Sequence, residues 1–239
     1  MRHHIFICSV LMSSLYGCKT LPTVTGSGEI RNDKRIVADF DEVEVRSDLM
    51  VEMTSEVPAN EVDIRGDDNL LSTVKTTVEG GTLKMEVKCD CIAVPSSPIL
   101  VRIGSANIDT VSAYDKSNIK LTSQTFDEIS FNLYNKAILT VENVTAEFVE
   151  VNASDDSQAV ISGKTDEFVV EATDDANVRA DKLVAESATI DSSDDADIAL
   201  KVISELDANL EDDSVLHLES EPKVSNTKVD DDAVIERRF

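Results

Sequence analysis

The chain has 239 residues, enough for one long domain or two short ones, and carries 47 acidic against 22 basic residues for a formal charge of −25. That balance excludes a nucleic-acid binder, because phosphate recognition needs a basic surface that this composition cannot assemble. With 41% hydrophobic residues and clear strand periodicity the chain is not a disordered acidic tail, and cations are the better guests for its surface.

The N-terminus reads as an export signal. Arg2 supplies a basic start, Ile5 to Gly17 is a largely apolar run too short to span a bilayer, and Cys18 follows Leu15-Tyr16-Gly17. The pattern resembles a lipobox, in which the leader is cut before the cysteine and Cys18 is acylated; an ordinary secretory leader is the alternative, and both export the chain. Residues 1–17 are thus expected to be a signal peptide and 18–27 a tether. The protein is expected in the cell envelope as an outer-membrane lipoprotein, on either side of that membrane. Its lipid would be its membrane partner, since no other segment is long and apolar enough to cross.

From Gly26 to about Ile103 the sequence alternates as strands do, in Phe40 to Val45, Val62 to Ile64 and Leu83 to Val87. Gly80-Gly81 predicts a turn between strands at Thr76 to Glu79 and Thr82 to Lys88. One helical turn is expected over Asp68 to Val74, capped by Asp67 or Asp68. Cys89 and Cys91, if on a strand, place both sulfurs on one face, too far apart for a relaxed disulfide. Two free thiols are the default reading, with a strained disulfide or a metal or redox site as alternatives. Pro95 and Pro98 interrupt the pattern, and the join between the two halves is expected near them.

From about residue 106 a short phrase returns seven times, starting at Asp115, Asn135, Asp155, Asp174, Asp194, Asp212 and Asp230, at intervals of 20, 20, 19, 20, 18 and 18. A repeat of that length fits one coil of a β-solenoid. Each phrase is a turn leading into a strand. Counting back four residues gives a nearly all-apolar column, Val111, Phe131, Val151, Val170, Ile190, Ala208 and then Asn226. Counting back two gives a second column that ends on Leu210 and Lys228. A further inward column after the turn holds Ile119, Leu139, Val178, Ile198 and Leu216. The expected fold is therefore all-β, a parallel β-helix with coils of about 18 to 20 residues across residues 28–239, less regular up to about 105 and regularly repeating from about 106. Arg237-Arg238-Phe239 would blunt its last edge.

The constellation with chemical promise is the ladder of aspartate pairs, Asp155-Asp156, Asp174-Asp175, Asp194-Asp195 and Asp212-Asp213, continued at Asp230-Asp231. Stacked carboxylates about 5 Å apart repel by roughly 1 kcal/mol in a water-like dielectric, which calcium would relieve. Against calcium stands the ordinary preference of Asp and Asn for tight turns, where they tolerate left-handed backbone. No other cofactor is expected. Catalysis is not expected either. His3 and His4 fall in the leader, and His217 sits at a strand position read as solvent-facing, so triads and histidine-rich zinc sites are excluded. Tyr114 and Tyr134 occupy one repeat position a coil apart and should stack as a surface ladder, with a small recognition patch as the sharper reading.

Four motifs, Gly26-Ser27-Gly28, Phe40 to Val45, Asp67-Asp68-Asn69-Leu70-Leu71 and Val78 to Leu83, resemble in order and spacing the auto-transporter adhesin, head GIN domain family of exported Bacteroidetes-type proteins. The resemblance covers the chain after its leader. It implies a right-handed parallel β-helix and an adhesin-like role without an assigned biochemical function; no translocator barrel can be found in this chain. The expected function is a lipid-anchored envelope binding or structural protein with an unknown protein or glycan partner. The alternatives are a calcium-stabilised carbohydrate-binding or polysaccharide-processing β-helix and a periplasmic scaffold.

Overall fold

A computed structural model describes residues 21–104 and 108–239; the leader, Cys18 and Lys19 lie outside the described residues. Among the described residues, nineteen strands and one short 3-10 turn make up the regular structure. Strands β1 (Thr23–Thr25) and β8 (Ile92–Val94) pair in parallel as a small separate sheet, so part of the expected tether is strand.

Every other strand belongs to one ladder-built sheet. Its regular part runs through β10 (Thr110–Ala113), β11 (Asn118–Thr122), β12 (Thr125–Leu133), β13 (Ile138–Ala153), β14 (Gln158–Ala172), β15 (Asn177–Ser192), β16 (Asp197–Leu210), β17 (Val215–Leu218), β18 (Val224–Val229) and β19 (Val234–Arg237). Each residue pairs in parallel with the one a coil later: Val111 with Phe131, Phe131 with Val151, Val151 with Val170, Val170 with Ile190 and Ile190 with Ala208. Repeats of 18 to 20 residues thus form a parallel β-solenoid. Differences in coil length are absorbed at bulges, between Val141 and Val144, Val160 and Ser162, and Ala180 and Val184, while the turns stay in register.

The ladder does not start at β10. Strands β3 (Glu42–Val45) and β4 (Met50–Thr54) form the coil beneath β10 and β11, and β7 (Thr82–Val87) with β9 (Leu100–Gly104) forms the coil beneath that. In space β3 therefore lies between β7 and β10, an order the linear repeat does not reveal. The lower end is closed by antiparallel strands: β6 (Val74–Glu79) on β7 through the Gly80-Gly81 turn, and β5 (Glu61–Asp67) on β9 and on β2 (Ile30–Ile36). The expected helical turn is a 3-10 turn over Leu71–Thr73. Neither aspartate caps it; Leu70 is the N-cap, with no side-chain hydrogen bond.

One hydrophobic core runs the length of the column, from Val43 to Leu218 and on to Ala233, with Phe131 and Phe168 as its largest fully buried side chains. At the upper end the inward positions turn polar. Ser225 follows Leu206 and Thr227 follows Ala208, and all six residues of β18 are exposed. Inward polar side chains on an open edge discourage stacking of a second molecule. Asn226 and Lys228 point outward, so the inward column in this coil is displaced by one residue from the expected one.

Candidate functional site

The repeated phrase is a four-residue turn with its first Asp or Asn in left-handed backbone. Asp115, Asn135, Asp155, Asp174, Asp194 and Asp212 have φ between 57° and 62°. In the last coil the equivalent is Asp231, with φ 56°, and not Asp230. Ser47, φ 71°, occupies the same column one coil below Asp115. Asp and Asn visit this region more readily than other side-chain-bearing residues, which explains their recurrence. The chain closes three residues on, as where Ser117 N donates to the Tyr114 carbonyl at 3.2 Å. In the seven repeated phrases the residue two after the left-handed one is small and buried, Ser117, Ala137, Ser157, Ala176, Ala196, Ser214 and Ala233, whereas the Ser47 coil has the larger Leu49 there.

The structure divides the expected aspartate ladder by position. Three first-position carboxylates accept backbone N–H groups from the coil below: Asp115 from Ser47 at 3.2 Å, Asp155 from Asn135 at 3.0 Å, and Asp174 from Asp155 at 3.5 Å. Second-position residues Asp156, Asp175, Asp195 and Asp213 are exposed, and Lys136 pairs with Asp156 at 3.0 Å. Among the described residues no group of three or more His, Cys, Asp or Glu side chains is placed to hold a metal ion.

Beside this ladder, in the position before each left-handed residue, stand Arg46, Tyr114, Tyr134, Ser154 and Thr173, aligned by the backbone hydrogen bonds Tyr114 N to Val45 O, Tyr134 N to Ala113 O, Ser154 N to Leu133 O and Thr173 N to Ala153 O. The two tyrosine rings stack with centroids 4.8 Å apart and planes 14° from parallel. Arg46 covers the other face of Tyr114, its guanidinium carbon 4.0 Å from the centroid. Arg46 is itself held by Glu44 at 2.7 Å, a hydrogen bond that keeps the guanidinium pKa above its ordinary value. Burial in the stack, with Tyr134 and Glu44 alongside, raises the Tyr114 phenol.

Two residues before this column, an outward polar column crosses the same coils. Asn132 Nδ2 donates to Ser112 Oγ at 3.3 Å, and Asn152 Nδ2 donates to Asn132 Oδ1 at 3.0 Å. Between the columns lies a cavity of about 280 Å³ lined by Asn132, Tyr134, Asn152, Ala153, Ser154, Glu171 and Thr173. Sequence reasoning found the tyrosine ladder and missed its polar wall. The signal was present in the repeat, because Ser112, Asn132, Asn152 and Glu171 all stand three residues before a left-handed position.

Two further expectations change. His217 is 7% exposed, not solvent-facing, because β19 lies over it. Its Nε2 is 3.0 Å from Asp197 Oδ1, and Glu236 Oε2 lies 3.1 Å from Nδ1 but off the line of a hydrogen bond. Hydrogen bonding to Arg238 foremost holds the Glu236 pKa below its ordinary value. These residues fasten the last coil. Cys89 and Cys91 form a disulfide, with Cα atoms 5.1 Å apart. The strand assumed for them does not exist, since the chain leaves the sheet after Val87 and bends, which brings the sulfurs together.

Two of the motifs that carried the family resemblance meet in a clasp. The buried Asp67 carboxylate accepts from Gly28 N at 2.7 Å, Ser96 N at 2.8 Å and Ser96 Oγ at 2.6 Å. These bonds, with the Ser96 hydroxyl foremost, lower its pKa. Asn69 Oδ1 accepts from Ser27 N, and Asn69 Nδ2 donates to Thr25 O. A Cβ on Gly26 would sit 2.2 Å from Asp67 Oδ2, so only glycine fits there.

The architecture defines the class, an acidic parallel β-solenoid whose corners are built on a left-handed Asx ladder. The family model described as "Putative auto-transporter adhesin, head GIN domain" matches residues 39–222, and the chain belongs to that family. A solved structure from Bacteroides fragilis, described as a "putative adhesin", aligns with TM-score 0.79 at 13% identity, covering 90% of this chain and 100% of that one. A "putative lipid binding protein" from Parabacteroides distasonis aligns with TM-score 0.65 at 17% identity, covering 91% and 100%. A "putative adhesin" from Parabacteroides merdae aligns with TM-score 0.63 at 14% identity, again covering 91% and 100%. At these identities the likeness is one of fold. No curated protein matches the chain.

Proposed function

We propose that this chain is an exported, lipid-anchored protein of the cell envelope whose rigid acidic solenoid makes adhesive or scaffolding contacts without catalysis. The observation that carries the reading is the continuous core and ladder from Val43 to Leu218, which holds outward side chains in fixed columns one coil apart. Such a surface is preorganised for recognition, since little side-chain or loop entropy is lost on binding. Two of the buried titratable side chains, Asp67 and His217, are tied to structural work, one in the clasp at the lower end and one at the last coil. Acylation at Cys18 would supply the anchor, each buried methylene contributing about 0.8 kcal/mol of transfer energy. The description of two of the similar solved structures as putative adhesins supports the same reading.

Two measurements test it. Metabolic labelling with a fatty-acid analogue should mark the wild-type chain and not Cys18→Ala. Cells displaying the chain should attach to host or bacterial surfaces more than cells lacking it. Unlabelled wild-type protein, or equal attachment combined with no partner recovered by in-cell cross-linking, would overturn the reading.

A further inference from the structure

The stacked column ends abruptly. Arg46, Tyr114 and Tyr134 succeed one another at the coil spacing, so both faces of Tyr114 are covered, by Arg46 and by Tyr134. Beyond Tyr134 the next two members are Ser154 and Thr173, whose short side chains leave the far face of the Tyr134 ring open to the cavity. From the Tyr134 ring to Thr173 is two coil steps, about 9.6 Å, which admits one further ring parallel to the tyrosines at about 4.8 Å from Tyr134.

The walls of this notch say what kind of ring it suits. The Tyr134 ring lies beneath it, Asn152 and Ser154 flank it, and Glu171 and Thr173 close it one coil further on, all lining the cavity. Asn152 uses one N–H on Asn132 and keeps its second N–H and its carbonyl oxygen for a ligand. An apolar face beneath with several hydrogen-bonding groups at the rim matches a pyranose, which presents C–H bonds on its faces and hydroxyls at its edge. An aromatic side chain of a peptide would strand those polar groups without partners. A nucleobase would bring phosphates into a field set by −25 net charge. The same field and the Glu171 carboxylate disfavour uronic or sialic acids and favour neutral or amino sugars.

We propose that the open face of Tyr134, with Asn152 and Glu171, binds one neutral or amino-bearing pyranose ring of a glycan as the next member of the stack. The proposal rests on the adhesive reading above and names the ligand class for it. At about 280 Å³ the cavity is at the small end of ligand sites, the size for one sugar ring with the rest of the glycan in solvent.

The test uses the full chain purified in detergent, applied to an array of neutral, amino and acidic oligosaccharides, followed by calorimetric titration of the best neutral or amino glycan. Binding is expected to weaken about tenfold in Tyr134→Ala, the order expected from losing one stacked ring, and to stay within about threefold in Tyr134→Phe. Ser154→Phe, which fills the notch with the column's own geometry, should abolish binding while leaving the thermal midpoint in place. This variant keeps the test decisive if Tyr134→Ala proves unstable. Glycan binding indifferent to Ser154→Phe would overturn this site and leave the adhesive reading standing. Binding to acidic glycans alone, or to none, would overturn the proposal. Attachment of displaying cells, measured in parallel, then shows whether the adhesive reading falls with it.

Discussion

Gly163 occupies the bulged corner opposite the turn ladder, paired with Val144 of the coil below and Leu183 of the coil above. Its φ is 136°, in a region essentially reserved for glycine. A Cβ placed there would lie 2.0 Å from the Val144 carbonyl oxygen and 2.6 Å from its nitrogen. Those are backbone atoms held by parallel pairing on either side, so they cannot rotate away. Gly163→Ala should cost about 1–3 kcal/mol for the backbone conformation and a comparable amount for overpacking, about 4 kcal/mol in all. For a chain of this size that is a fall in thermal midpoint of about 8–16 °C, followed by far-ultraviolet circular dichroism. Gly80→Ala is the control. Gly80 also has positive φ, 63°, but its Cβ would meet nothing within 4 Å, so only the left-handed penalty of about 1 kcal/mol applies. If Gly163→Ala melts no earlier than Gly80→Ala, close approach at the corner does not limit coil packing and the reasoning is wrong.

The buried hydroxyls of Ser117 and Ser157 have no hydrogen-bond partner among the described residues, while equivalent coils carry alanine. Ser157→Ala should therefore raise stability by about 1 kcal/mol in a denaturant titration, and a clear loss would reveal a partner for the hydroxyl. Asp67 has a folded pKa below its unfolded value, so its contribution is present above the ordinary carboxylate pKa of about 4 and disappears as pH falls through the lowered value. Protection of the Gly28 amide, its exchange rate relative to the intrinsic rate at the same pH, should fall in that acid window, and Asp67→Asn should show the lower protection already at neutral pH; protection unchanged by either would refute the clasp. Because Asp115, Asp155 and Asp174 are occupied by backbone N–H groups and no cluster of three or more ligating side chains occurs among the described residues, calcium and magnesium at equal ionic strength should shift the thermal midpoint equally. A calcium-specific rise abolished by Asn at Asp174, Asp175, Asp194 and Asp195 would instead establish a metal site.

The solenoid was legible in the sequence because its causes are local and periodic. A left-handed corner selects Asp or Asn, a small residue follows two places later in the repeated phrases, and alternation places Val, Ile, Leu and Ala inward; each leaves a mark at fixed spacing. The stacking of Tyr114 on Tyr134 follows from the same arithmetic, as does the polar column through Asn132 and Asn152 once the register is known. Long-range pairing left no such mark. Nothing in the order of residues shows that β3 sits between β7 and β10, so Arg46 could not be placed over Tyr114, 68 residues later in the chain. Burial of His217 depends on β19 lying over it, and the Asp67 clasp on two segments about 40 residues apart meeting at the lower end. The Cys89–Cys91 bond depended on the chain leaving the sheet, which a two-residue spacing cannot disclose. Repetition along the chain determined the column and its corners. Only tertiary structure decided what meets across coils, because those contacts join residues whose separation carries no period.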